Sequence, residues 1–109
     1  MSTRLRAAGV AATHLSEQQL SRLHRLLLDE QVAQQSRLAE LEDAADLEPD
    51  LAEVLLGRCR EGLEGIEEAL ARLDEKAYGR CVSCGAGIPY ERLEAVPAAR
   101  QCVSCPVGR

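Results

Sequence analysis

Two Cys-x-x-Cys pairs constrain the fold of this chain more than any other feature. Cys81 and Cys84 form the first pair, Cys102 and Cys105 form the second, and seventeen residues separate the pairs. Each pair can bind through a tight turn, so that four thiolates converge tetrahedrally on one cation. Such a site has four protein ligands and no open position. We therefore predict one structural zinc ion that holds a fold and does not activate water.

Two disulfides, or an iron of the rubredoxin type, are the alternatives to zinc. Disulfides need an oxidising compartment, and the chain shows no export signal, because the small residues after Arg4 and Arg6 are too few for an apolar signal segment. A buried iron centre usually has aromatic cover, and this chain has two Tyr, no Trp and no Phe. Both observations favour zinc.

Composition and charge argue against several classes of protein. Aromatic residues make up 2% of the 109 residues, which suits packed helices better than a sheet core. The net charge is −5, with −7 in residues 1–77 and +2 in residues 78–109, so a phosphate-backbone binder is disfavoured. No apolar run approaches the roughly 18 residues of a membrane span. We expect a cytoplasmic monomer that binds neither nucleic acid nor membrane directly.

Hydrophobic periodicity predicts two long helices after a disordered tail at residues 1–14. Ser16 and Gln19 can form a capping box at the first helix start, and Pro49 suits the first turn of the second helix, which should begin between 47 and 51. The first stripe comprises Leu20, Leu23, Leu27, Gln31, Gln34, Leu38, Leu41 and Ala45. The second comprises Ala52, Leu55, Cys59, Leu63, Ile66, Leu70, Leu73 and Ala77.

These two stripes predict a mainly α fold. Residues 15–77 should form an antiparallel coiled-coil hairpin, with facing residues whose numbers add to about 93, and residues 78–109 a small four-cysteine zinc finger at its open end. This register puts Gln34 opposite Cys59 and predicts a weak zone in the middle. Cys59 can be a small buried hydrophobe or a spare thiol for redox chemistry.

Three glycines of the second helix lie in this middle zone: Gly57, Gly62 and Gly65. Each costs roughly 1 kcal/mol relative to Ala in a helix interior. They either lower stability there or allow the helices to approach closely, and the sequence leaves both explanations open.

The turn between the helices is acidic. Residues 40–53 contain seven carboxylates and no Lys or Arg, so we expect nothing nearby to neutralise them. Such a run can be only a solvated turn, with acids that favour the N-terminus of the second helix. It can equally meet a cation or basic residues of a partner, including Mg²⁺ held jointly with partner ligands.

Enzyme chemistry has little support in the sequence. His14 and His24 are the two histidines, and neither accompanies a nucleophile motif. The chain has no glycine-rich loop of the kind that cradles phosphate. We therefore predict a binding module without catalytic residues.

The segments Tyr78–Gly85, Ile88-Pro89 and Arg92–Cys105 closely resemble the zinc finger of the DksA/TraR family, and residues 66–73 resemble its second helix. The resemblance implies a bacterial transcription regulator that binds RNA polymerase and not DNA. Members of the family insert the hairpin through the secondary channel, so that tip acids approach the active-site region. The resemblance also indicates that Arg92 is the finger residue expected to contact a partner.

The tip departs from the Asp-x-x-Asp-x-Ala pattern of the family. Asp50 and Ala52 match its second half, and Asp43 and Asp46 match its first half but meet Glu48 where Ala belongs. We favour Asp50 and Ala52, and the acid that pairs with Asp50 stays open.

Two further positions bear on the alarmone ppGpp. Members that respond to it have basic residues where this chain has Val96 and Pro106. A diphosphate then has little to bind, and we predict weak or absent ppGpp dependence.

Overall fold

A computed structural model describes residues 14–105 of the protein. Three helices occur in this range: α1 (Glu17–Glu42), α2 (Pro49–Asp74) and α3 (Tyr90–Ala95). The helices α1 and α2 have 26 residues each, about 39 Å at 1.5 Å per residue, and pack together as a hairpin. The molecule measures 62 × 28 × 23 Å. The predicted mainly α hairpin with a small finger is confirmed.

The long helices begin where the local sequence predicts, whereas the last residues of the predicted stripes, Ala45 and Ala77, lie beyond the helix ends at Glu42 and Asp74. Ser16 Oγ accepts a hydrogen bond from the Gln19 backbone N–H at 3.0 Å, and Gln19 Oε1 accepts one from the Ser16 N–H at 2.9 Å. This is the predicted capping box. Pro49 is the first residue of α2, inside the predicted range for its start, and Glu48 caps that helix.

The buried core lies at the finger end of the hairpin. One cluster joins Leu23 and Leu27 of α1 and Ile66 of α2 to Tyr78 and Leu93 of the finger. Residues 28–58, in contrast, contain no buried side chain. The two halves of the hairpin therefore differ in packing, although both belong to the same two helices.

The middle of the hairpin bears on the two explanations for its glycines. A Cβ on Gly62 would lie 3.5 Å from Gln34 Nε2, an ordinary contact, and a Cβ on Gly57 or Gly65 would meet nothing within 4 Å. None of the three is needed for close approach, so these glycines lower the stability of α2. The Gln34 side chain lies beside Gly62, which is one helical turn after Cys59, the residue that the predicted register put opposite Gln34. Cys59 itself is buried, with 4% of its surface exposed.

At the N-terminal end of the described range, the structure shows a contact with the finger that the sequence did not predict. Residues 1–13 of the expected disordered tail, and residues 106–109 of the expected finger, lie outside the described residues. His14, the last residue of that tail, contacts the finger, with Nε2 2.9 Å from the Ile88 carbonyl oxygen. No helix in the described part of the chain is long and apolar enough to cross a membrane.

Candidate functional site: a four-cysteine centre and an acidic tip

The first cysteine pair lies in a short loop closed by backbone hydrogen bonds. Cys81 N–H donates to Ala86 O at 2.8 Å, and Gly85 N–H donates back to Cys81 O at 2.9 Å. Gly85 has φ +80°, in the left-handed region where a side chain would be strained. The tight turn places Cys81 and Cys84 on the same side of the loop.

The second pair is joined to the first by contacts between the two loops. Val82 N–H donates to Arg100 O at 2.8 Å, and Gln101 Nε2 donates to Ser83 Oγ at 2.7 Å. Arg100 and Gln101 come directly before Cys102 in the chain. Their bonds to the first loop therefore bring the second cysteine pair across to the first.

The four sulfur atoms are spaced for one tetrahedral ion. All lie within 4.8 Å of one another, and three Sγ–Sγ distances, Cys81–Cys105, Cys84–Cys102 and Cys102–Cys105, are 3.5, 3.7 and 3.7 Å. Four thiolates at about 2.3 Å from zinc lie roughly 3.8 Å apart. All five cysteines are free thiols, which argues against the disulfide alternative. The site thus fits a structural zinc ion, as predicted.

The surroundings of the thiols explain why a cation belongs between them. Hydrogen bonds from backbone N–H groups, first that of Cys102, lower the pKa of Cys81 to about 6. Hydrogen bonding to the neighbouring thiols, first that of Cys81, raises the pKa of Cys105 to about 12. Four crowded thiolates repel one another, whereas a bound zinc ion deprotonates coordinating thiols. Cys84 is exposed, so one side of the site faces solvent.

Contacts between finger and hairpin hold the metal centre on the base of the hairpin. Arg22 of α1 pairs with Glu94 at 2.9 Å, and Arg100 of the finger pairs with Glu68 of α2 at 2.9 Å. Tyr78, 1% exposed, donates its hydroxyl hydrogen to Pro97 O at 2.7 Å. These contacts could not be predicted from the sequence, since no sequence pattern links residues so far apart.

Gly79 lets the hairpin and the finger meet closely. Its φ is +88°, and a Cβ there would lie 2.8 Å from Leu15 Cδ1. The positive φ favours glycine, and a Cβ would also displace the Leu15 methyl group. The start of the hairpin therefore packs directly on the chain that leads into the first cysteine pair.

The predicted tip residues lie together at the turn between α1 and α2. Asp43, Asp46, Glu48 and Asp50 are all exposed, whereas Ala52 is half-buried. Glu48 Oε1 accepts a hydrogen bond from Leu51 N–H at 2.9 Å, so this carboxylate has a structural role as the cap of α2.

The expectation that nothing neutralises the acidic run is wrong for one residue. Arg60 Nη2 of α2 lies 3.7 Å from Glu42 Oε2 of α1, and both side chains are more than half exposed. This Arg lies outside residues 40–53, and the hairpin brings it back across the helices. No ion pair joins Asp43, Asp46 or Asp50 to another residue in the range 14–105.

Arg92, the predicted contact residue of the finger, is half-buried. Its Nε donates to Gln101 O at 3.3 Å. Part of the guanidinium is thus used within the finger, next to the second cysteine pair.

Known proteins share both the finger sequence and the overall structure of this chain. Residues 76–105 match the model of the prokaryotic dksA/traR C4-type zinc finger. Transcription factor DksA2 from Pseudomonas aeruginosa has a similar structure, with a TM-score of 0.67 and 30% identity, over 82% of this chain and 81% of that one. The protein is therefore a helical hairpin with a four-cysteine zinc finger. It belongs to the DksA/TraR family.

Two curated relatives match shorter parts of the chain. General stress protein 16O of Bacillus subtilis is 52% identical over 44 residues, 40% of this chain and 27% of that protein. The RNA polymerase-binding transcription factor DksA of Escherichia coli K12 is 37% identical over 65 residues, 58% of this chain and 43% of the relative. The matches thus span less than half the length of these relatives.

Proposed function

We propose that this protein is a DksA-like transcription regulator that binds RNA polymerase directly and inserts its acidic tip into the secondary channel. One observation carries the proposal: three carboxylates that form no ion pair within residues 14–105, those of Asp43, Asp46 and Asp50, lie at the free end of a hairpin whose other end is packed against the four cysteines. Relatives named as polymerase-binding factors support it. The protein acts as a cytoplasmic monomer without catalytic residues of its own.

The tip and the finger have different roles in this proposal. Asp50 is exposed and supplies negative charge to a cation or basic residues of the polymerase, and the small side chain of half-buried Ala52 belongs to the same contact surface. Asp43 and Asp46 add to the charge, and Glu48 mainly caps α2. Arg92 contacts the polymerase with the part of its guanidinium that Gln101 does not use.

The test combines co-elution with bacterial RNA polymerase and the lifetime of promoter complexes. The wild-type protein should co-elute at micromolar concentration and change this lifetime, and Asp50→Asn should still bind but lose most of the effect. Glu61→Gln is the matched control, since Glu61 is an exposed acid of α2 outside the tip. Absence of a complex would refute direct polymerase binding.

We also propose that the effect has no strong dependence on ppGpp, because Val96 and Pro106 replace basic side chains at the relevant positions. Titration of ppGpp into the polymerase complex should leave the effect nearly unchanged. A strong, saturable response would contradict this proposal.

A zinc- and thiol-dependent redox switch is a second candidate, and the exposed Cys84 thiol favours it. Cys59 is 4% exposed and therefore does not serve as the accessible thiol. Peroxide titration with a metal-sensitive dye separates the candidates. Unchanged zinc content at millimolar oxidant would count against a switch.

A further inference from the structure

A groove of about 320 Å³ runs between α1 and the finger helix α3, away from both the tip and the cysteines. Its apolar lining comes from four side chains: Leu26, Ala33, Ala95 and Pro97. Its acidic lining comes from three: Asp29, Glu30 and Glu94. None of the Lys or Arg residues in the range 14–105 lines it. The groove is thus an apolar surface bordered by one sign of charge.

The acidic border is only partly neutralised within the protein. Glu94 Oε2 pairs with Arg22 Nε at 2.9 Å and lies 3.5 Å from the Tyr90 hydroxyl. Asp29 and Glu30 are exposed, and neither forms an ion pair with another residue of the described chain. Two carboxylates beside apolar surface favour a ligand that brings positive charge together with an apolar side chain.

The shape and charge of the groove restrict what can occupy it. Its volume is at the lower end of the roughly 300–1,000 Å³ of small-molecule sites, and its carboxylates repel phosphate groups, which disfavours a nucleotide. Ala33 and Ala95 are small and exposed, so another backbone can approach, and Val96 adds an exposed apolar side chain, 47% accessible, beside them. A protein segment fits these features best.

We propose that this groove binds a segment of RNA polymerase in which Lys or Arg flanks a small apolar side chain. The proposal rests on the proposed function and extends it. The groove lies where the finger meets the hairpin, so binding there holds the base of the hairpin while its tip acts elsewhere. A long hairpin attached only through its tip would leave the base free to move.

The test uses the full chain in complex with RNA polymerase and reads binding and location separately. The double variant Asp29→Asn/Glu30→Gln should weaken the complex roughly three- to tenfold, which corresponds to about 0.7–1.4 kcal/mol. This loss lies within the range expected for two exposed charge contacts. The matched control, Glu61→Gln/Glu64→Gln, removes two exposed acids of α2 and should change the affinity less than twofold. Raising the salt concentration should reduce the difference between the two variants.

A photo-crosslinking amino acid, p-benzoylphenylalanine, at Ala33 then identifies the occupant by mass spectrometry. A polymerase peptide with Lys or Arg next to apolar residues supports the proposal. Cross-links to residues 1–13 of the same chain, which include Arg4 and Arg6, or to a second copy overturn it, as do equal affinities of the two double variants. If the wild-type chain binds no polymerase, the proposed function and the groove assignment both fail. If only the groove tests fail, the proposed function stands.

Discussion

The two ends of the hairpin are built on opposite principles. At the base, four sulfur atoms lie within 4.8 Å of one another, and buried side chains of both long helices pack on Tyr78 and Leu93. At the other end, residues 28–58 contain no buried side chain, and Asp43, Asp46 and Asp50 are exposed without an ion pair in the described chain. Stability is concentrated at one end, which leaves the other free to carry mutually repelling charge.

Removal of zinc should have the largest effect on stability, because it acts on the packed base of the hairpin. Complete chelation with EDTA should remove an apparent ~10–16 kcal/mol of metal-linked folding free energy, so the finger unfolds and the hairpin loses its packed end. Circular dichroism melting, with zinc measured in parallel, checks this. Cys81→Ser should reproduce the loss, and Cys59→Ala should retain one zinc ion. An unchanged melting profile after chelation would show that the metal does not stabilise the base.

Truncation of a core side chain should have the next largest effect on stability. It should also show that the base is well packed and the tip is not. Ile66 is 2% exposed and belongs to the cluster at the base, so Ile66→Ala should cost about 2–5 kcal/mol. Val54, on the same helix near the tip, is 54% exposed, and Val54→Ala should change stability by less than about 0.5 kcal/mol. Urea unfolding with zinc present measures both. Equal costs would contradict the unequal packing.

Tyr78→Phe should cost about 1–3 kcal/mol, because it leaves the buried Pro97 carbonyl without its donor. Burial raises the pKa of Tyr78 to about 12 from 10.0. The neutral phenol is therefore favoured in the folded state. Its contribution is complete below pH 10 and is lost as the pH rises from 10 towards 12. Urea unfolding across this range should show a smaller decline for Tyr78→Phe than for the wild type, and identical declines would contradict the assignment.

Local signals account for the features that the sequence predicted correctly. The capping box at Ser16, the start of α2 at Pro49 and the approach of the four thiols depend on residues close in the chain or on a known ligand spacing. Hydrophobic periodicity predicted the hairpin, since each stripe must be buried against another helix.

The remaining contacts depend on three-dimensional orientation that no local pattern carries. Arg22 and Glu94 are 72 residues apart, and His14 reaches Ile88 across 74. Arg60 approaches Glu42 only because the hairpin turns back at the tip, so a count of charges within residues 40–53 could not include it. The groove beside α3 was missed for the same reason, since its lining comes from two distant segments.

A glycine substitution probes the region between the two ends. A Cβ on Gly65 would meet nothing within 4 Å, so Gly65→Ala should stabilise the protein by about 1 kcal/mol. Gly79→Ala is the contrasting variant at the base, where φ is +88° and Leu15 Cδ1 lies 2.8 Å from the Cβ position. It should destabilise the fold. Thermal melting of both variants is the measurement, and a loss of stability in Gly65→Ala would indicate a tight contact in the middle of the hairpin.

Neutralising the tip should have the smallest effect on stability. Asp43 lies at the C-terminal end of α1, where negative charge is unfavourable, whereas Asp50 lies in the first turn of α2, where it is favourable. These contributions oppose each other, and removal of mutual repulsion adds a small gain. We expect the triple variant Asp43→Asn/Asp46→Asn/Asp50→Asn to change the unfolding free energy by less than about 0.5 kcal/mol.

The same triple variant should lose the effect on promoter complexes while it keeps its zinc and its melting temperature. Glu48→Gln is the matched control, since it weakens the cap of α2 and should lower stability by up to about 1 kcal/mol with a smaller functional effect. Salt should bring the stabilities of the wild type and the triple variant together by screening the exposed carboxylates. A large loss of stability in the triple variant would mean that these acids hold the turn together, and the division between a stable base and a functional tip would fail.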